Sequence, residues 1–207
     1  MNPVVNQLVN TAVGQAERPA AAPIPLPWAE LTDYQCFGCS PHNPNGLHLV
    51  FEEHPDGVCS RFTLGRGFES YPGIVHGGLT GVICDETMGN LIVLRHGRSA
   101  FTVSMRQRFV FPLVVGRPYT CVARLDRETE GNRLYQASAE VVDADGSVCA
   151  MATATYQPFV LEDALRQLKL GTPEATALSA ALAARMPSTF PSPLTTPNGA
   201  THDHPSH

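Results

Sequence analysis

The sequence predicts an α+β protein in which a long antiparallel β-sheet wraps around one central α-helix. Three observations carry that expectation. Segment 79–95 (LTGVICDETMGNLIVLR) is apolar nearly all round, the pattern of a helix enclosed by protein. The segments on either side of it alternate or run apolar like strands. Short turns join those strands, and short turns connect antiparallel neighbours.

The elements follow in order. Residues 17–27 (ERPAAAPIPLP) are rich in Pro and Ala and predict an extended, mobile leader over 1–35. LHLVFEEH (47–54), Asp56-Gly57 and VCSRFTL (58–64) form the pattern of a hairpin. The helix over 79–95 contains Gly81 and Gly89, each costing about 1 kcal/mol against Ala. Such small residues let another backbone approach closely. AFTVSMRQRFVF (100–111) alternates. Phe101, Val103, Met105, Phe109 and Phe111 take one face, while Thr102, Ser104, Arg106 and Arg108 take the other. Pro112 ends that strand. Strands over 119–128, 133–143 and 147–159 complete the sheet, with turns at Gly131-Asn132 and Asp145-Gly146. The folded domain spans 36–160 and a helical extension covers 161–186. The Pro/Ser/Thr-rich tail 187–207 predicts disorder. Its His202, His204 and His207 receive no function.

At 207 residues and 43% hydrophobic content the chain suits one soluble domain. A net charge of −5 argues against nucleic acid, which needs a basic stripe. No apolar run reaches the roughly 18 residues of a membrane span. The first 16 residues lack the basic start of a secretory signal, so a cytoplasmic protein is expected. The six cysteines are read as free thiols. Cys36-Phe37-Gly38-Cys39 offers only two ligands where structural zinc needs four. His42 and His48 do not complete a convincing set, so no metal and no cofactor is expected.

The chemistry concentrates in YPGIVHGGLTGVICDETMGN (71–90). Gly77 and Gly78 stand where the helix begins. Their N–H groups have no partner within the helix, and the dipole adds partial positive charge there. Such a site can polarise a carbonyl and stabilise an oxyanion. Asp85 and Glu86 lie within the apolar helix. A poorly solvated carboxylate can act as base or nucleophile, and periodicity alone does not choose between the two. Gly77 and Asp85 are eight residues apart, about 12 Å along a helix, too far to touch one carbonyl carbon. If both act on one substrate they come from different subunits, which predicts a two-fold dimer with two composite sites.

His-Gly-Gly followed by Asp nine residues after the His, His76 to Asp85, resembles the acyl-CoA thioesterases of the hotdog fold, and among them the phenylacetate-pathway type. YPGIVHGG and CFGCSPHNPNGLHLVF (36–51) are similar to the branch containing the mammalian mitochondrial long-chain acyl-CoA thioesterases. TVSMRQRFVFPL resembles the strand that follows the helix in that family. The resemblance spans about 36–159 and neither tail.

The resemblance implies a hotdog domain that hydrolyses an acyl-CoA or acyl-carrier-protein thioester, working as a homodimer or homotetramer. It implies that Gly77 donates its N–H to the thioester carbonyl. Asp85 of the other subunit activates water or attacks directly. His76 orients substrate or water, Thr102 stands near the attacking water, and Glu86 is a bystander. Ser70 stands where some relatives carry an Asn that positions water, which puts that contact in doubt. Arg106 and Arg108, placed on the Thr102 face, are candidates for the phosphates of coenzyme A. Two alternatives stay open. One is a hotdog hydratase or dehydratase acting on enoyl thioesters. The other is an acyl-CoA-binding protein without turnover.

Overall fold

The structure, a computed structural model, describes residues 22–128, 134–159 and 173–184. One helix, α1 (Gly77–His96), packs on a six-stranded sheet. The strands are β1 (Phe51–His54), β2 (Gly57–Thr63), β3 (Ser99–Phe109), β4 (Pro118–Glu128), β5 (Tyr135–Asp143) and β6 (Val148–Phe159). All neighbours are antiparallel, in the order β1-β2-β4-β5-β6-β3. A second helix, α2 (Pro173–Ala183), follows β6. The expected α+β architecture is therefore the observed one. Among the described residues no helix is long and apolar enough to cross a membrane.

The helix begins two residues earlier than its apolar pattern. His76 is the N-cap, its Nδ1 accepting from Gly78 N–H at 3.0 Å. A His cap lies outside the Ser/Thr/Asp/Asn signal that marks most helix starts. At the other end Gly97 adopts φ 63°, and its N–H returns to Val93 O at 2.8 Å. That left-handed cap favours glycine. Arg95 and His96 in the last turn suit the negative end of the dipole.

Alternation on the sheet explains how a helix apolar all round is enclosed. Ala123, Ala137, Ala139, Ala150, Ala152 and Ala154 are all buried. These short side chains leave room for Ile83, Met88, Leu91 and Ile92 of α1, which are fully buried. Each such side chain contributes about 1.5–3 kcal/mol of burial. Gly81 and Gly89 face side chains rather than a second backbone: Gln107 and Met105 lie over Gly81, and the Tyr156 ring lies over Gly89.

Three expectations are corrected. First, the described part of the leader is folded. Trp28 is 3% exposed, Pro27–Glu30 form a 3-10 turn, and Ile24 N–H donates to Phe51 O at 2.7 Å. A Pro/Ala-rich composition cannot reveal a tryptophan anchored by distant core residues. Second, β1 starts at residue 51 rather than 47. His48 has φ 52°, which breaks the extended run, and the N–H groups of Leu47 and Leu49 donate to Phe37 O and Gly38 O instead.

Third, β3 carries a bulge between Thr102 and Ser104, which shifts the alternation by one residue. Thr102 pairs with buried Tyr156, and Met105, Gln107 and Phe109 pair with buried Ala154, Ala152 and Ala150. These four face α1. Arg106 and Arg108 pair with Thr153 and Met151 on the opposite face, so they do not share a face with Thr102. The Gly131-Asn132 turn, the tail 187–207, residues 1–21 of the leader, residue 160 of the expected domain, and 161–172 and 185–186 of the expected extension lie outside the described residues.

Candidate active site

Asp85 projects from the middle of α1 and is half-buried. Its Oδ1 accepts two hydrogen bonds, from Thr102 Oγ1 at 2.7 Å and from Tyr156 OH at 2.9 Å. Tyr156 OH also lies 3.2 Å from the Asp85 carbonyl oxygen. Among the described residues Oδ2 has no donor. One oxygen is thus fixed while the other stays open to the cleft. Burial, and then the neighbouring Asp85 carboxylate, push the Tyr156 phenol well above its usual range. It therefore remains a proton donor to Asp85. Sequence reasoning missed Tyr156, which lies 71 residues from Asp85. A period-2 tyrosine at the end of an inward-facing row looks like core.

The cleft in front of Asp85 has a volume of about 270 Å³. Trp28, Tyr34 and Cys36 from the N-terminal segment line it, as do Asp85, Glu86, Thr102 and Tyr156. Glu86, expected to be a bystander, reaches the same cleft. Its Oε1 accepts from Asn90 Nδ2 at 2.9 Å and from Cys36 Sγ at 3.4 Å. Burial, with Cys36 beside it, raises the Glu86 carboxyl to about 7. Adjacent positions 100° apart on a helix can both line a wide cleft, a geometry that periodicity does not reveal. Trp28 Nε1 is buried without an acceptor among the described residues.

The N-terminus of α1 forms a separate feature. His76 and Gly78 are exposed and Gly77 is half-buried. His76 Nδ1 takes the Gly78 N–H, so Gly78 is not a free donor. Leu79 N–H goes to His76 O, and among the described residues Gly77 N–H has no acceptor. Because Nδ1 accepts, the neutral His76 ring carries its proton on Nε2. Ser70 is exposed, and its N–H donates to Ile74 O at 2.8 Å within the loop before α1. The Phe109 ring of β3 packs against Gly77, 3.4 Å from where a Cβ would stand. Arg106 and Arg108 are exposed on the far face, and the structure does not bring them to Asp85.

β3 is an edge strand. Phe101, Val103, Met105 and Phe109 on it, with Val110 and Phe111 just beyond, are 40–58% exposed. A long apolar edge of this kind invites another strand.

Comparison with known proteins bears on this geometry. Residues 72–150 match the family model described as Thioesterase superfamily. No curated protein sequence matches the chain. Among solved structures, a thioesterase superfamily protein is 24% identical, with a TM-score of 0.55 over 74% of this chain and 76% of that one. Another, from a structural genomics consortium, is 21% identical, with a TM-score of 0.50 over 57% of this chain and 89% of that one. A hypothetical thioesterase from Streptococcus pneumoniae, solved with coenzyme A, is 19% identical, with a TM-score of 0.49 over 54% and 85%. The chain has the hotdog fold, and its segment 72–150, which holds His76, Gly77, Asp85 and Thr102, matches the thioesterase superfamily.

Proposed function

We propose that the protein is an acyl-CoA thioesterase of the phenylacetate-pathway type, nearest the branch of the mammalian mitochondrial long-chain enzymes. It acts in the cytoplasm as a homodimer. It hydrolyses an acyl thioester, carried on coenzyme A or acyl-carrier protein, to a carboxylic acid and a free thiol. The observation that carries this reading is the Asp85 carboxylate, pinned through Oδ1 by Thr102 and Tyr156 with Oδ2 open to a cleft. The match of residues 72–150 to the thioesterase superfamily supports the reaction class.

The two halves of the reaction reside on different stretches of α1. Gly77 N–H, at the positive end of the helix, polarises the thioester carbonyl and holds the oxyanion of the tetrahedral intermediate. Asp85 Oδ2 takes a proton from water as the water attacks, or attacks the carbonyl itself. Collapse of the intermediate expels the thiolate. Residues supply both donor and base, so the step calls for no cofactor.

β3 explains how the two halves meet. Gly77 sits over Phe109 at one end of that strand, and Asp85 bonds Thr102 near the other. Two β3 edges paired antiparallel about a two-fold axis near Met105–Arg106 would set the Phe109 end of one beside the Thr102 end of its partner. Gly77 of one subunit then faces Asp85 of the other. The catalytic unit begins before residue 36, because Trp28 and Tyr34 line the cleft. The helix α2, Pro173–Ala183, is read as an appendage to that unit.

The test is release of free thiol from a panel of acyl-CoAs. Asp85→Asn is expected to lower kcat by about 10²- to 10⁴-fold with an unchanged melting temperature. Full activity in that variant would remove Asp85 from the mechanism.

A further inference from the structure

A second cluster stands beside Asp85 and takes no part in the hydrolysis above. Cys36 Sγ, Cys39 Sγ and a Glu86 carboxylate oxygen all lie within 4.8 Å of one another. We propose that Cys36, Cys39 and Glu86 bind one thiophilic divalent metal ion of the zinc class, tying the N-terminal segment to α1.

Local geometry supports this assignment. Ser40 N–H donates to Cys36 O at 3.3 Å, and Leu47 and Leu49 N–H donate to Phe37 O and Gly38 O, so backbone bonds hold the C-x-x-C turn in place. Gly38 is buried beneath Glu86, and a Cβ there would run into the Glu86 carboxyl. The turn and the carboxylate are thus fitted to each other across 50 residues of sequence. Cys39 is buried, while Cys36 and Glu86 line the cleft.

The chemistry points the same way. Two sulfurs and a carboxylate converge, and among the described residues no Arg, Lys or His pairs with Glu86. The near neighbours Asn90 and Tyr34 carry no positive charge. Three ionisable ligands in a half-buried place favour a cation, and the two sulfurs select a soft one over magnesium or calcium. Three protein ligands leave a fourth position on the cleft side, filled by water or by a ligand. Binding displaces the thiol protons to solvent, so affinity rises with pH.

The two histidines weighed from sequence are engaged elsewhere. His42 Nε2 pairs with Ala29 O at 2.9 Å and His48 Nε2 with Asn43 O at 2.6 Å. The third ligand is Glu86, which no local spacing could reveal.

The experiment uses the full chain and does not depend on turnover. The reduced protein is stripped with a chelator and titrated with Zn²⁺ and, in parallel, Co²⁺. Bound metal is measured by mass spectrometry and cobalt–thiolate absorption is recorded. The expected result is one ion per chain, a sulfur-to-cobalt charge-transfer band, and a melting temperature that falls on chelation. Cys36→Ser and Cys39→Ser should lose the band. Glu86→Gln, which keeps the side-chain shape, should weaken binding by at least about tenfold. Cys59→Ser, on β2, should bind as the parent does. Stoichiometric binding without the charge-transfer band, or binding unchanged in the Cys36 and Cys39 variants, overturns the proposal. So does a reduced chain that binds neither ion, or a Cys36–Cys39 disulfide as its stable form in the presence of zinc.

Discussion

The two edges of the sheet are finished in opposite ways. At one edge β1 is only four residues long, and the chain's own N-terminal segment covers it through Ile24 N–H to Phe51 O and the Pro23–Glu52 bridge. At the other edge β3 runs for 11 residues, apolar and, among the described residues, uncovered. A bare apolar edge of that length is a template for another strand, and the proposed dimer uses it. The candidate site divides along the same line. Trp28 and Tyr34 come from the closing segment, while Thr102 and Tyr156 belong to the open edge and the strand beside it.

The largest expected effect tests the closed edge. Trp28→Ala removes the anchor of the closing segment and should cost about 3–5 kcal/mol, read from denaturant unfolding, with the dimer intact at native conditions. A smaller loss would mean that the segment rests on the fold without supporting it.

Next comes the open edge. Met105→Asp should yield a monomer by light scattering and lower kcat/KM by about 10²- to 10³-fold, the cost of losing one oxyanion donor. Val50→Asp, an exposed apolar position next to β1, should change neither. If both variants behave alike, the contrast between the edges has no functional meaning.

The smallest effect separates anchor from base. Tyr156→Phe deletes one of the two donors to Asp85 Oδ1 and should lower kcat by about tenfold, in line with about 1.5 kcal/mol for a hydrogen bond to a charged group. KM should stay near the parent value. A variant that loses stability but no activity would make Tyr156 a packing residue.

Local patterns carried most of the fold. The apolar segment 79–95 gave α1, and alternation gave β4, β5 and β6 within a few residues. What stayed hidden depends on distant contacts. The bulge between Thr102 and Ser104 is one residue of register, decided by pairing with β6, and it sends Arg106 and Arg108 to the other face. Trp28 looked like part of a loose leader because the core it joins is built from residues distant in sequence. At the site, Asp85 and Thr102 were legible through the resemblance and not through period, which left Asp85 and Glu86 equivalent. Tyr156 meets Asp85 from 71 positions away and Cys36 meets Glu86 from 50, and spacing along one segment holds no trace of either contact.

The strand order also bears on how the chain folds. β3 leaves the ribosome about forty residues before β6 begins, and β6 is its only neighbour in the sheet among the described residues. During that interval β3 presents unpaired amides and carbonyls on both sides, with four large apolar side chains between Phe101 and Phe109. Non-local pairing of this kind is slow, and exposed strands of this kind associate with one another. Refolding yield should therefore fall steeply with protein concentration, and the edge proposed to assemble the dimer would be where misassembly starts.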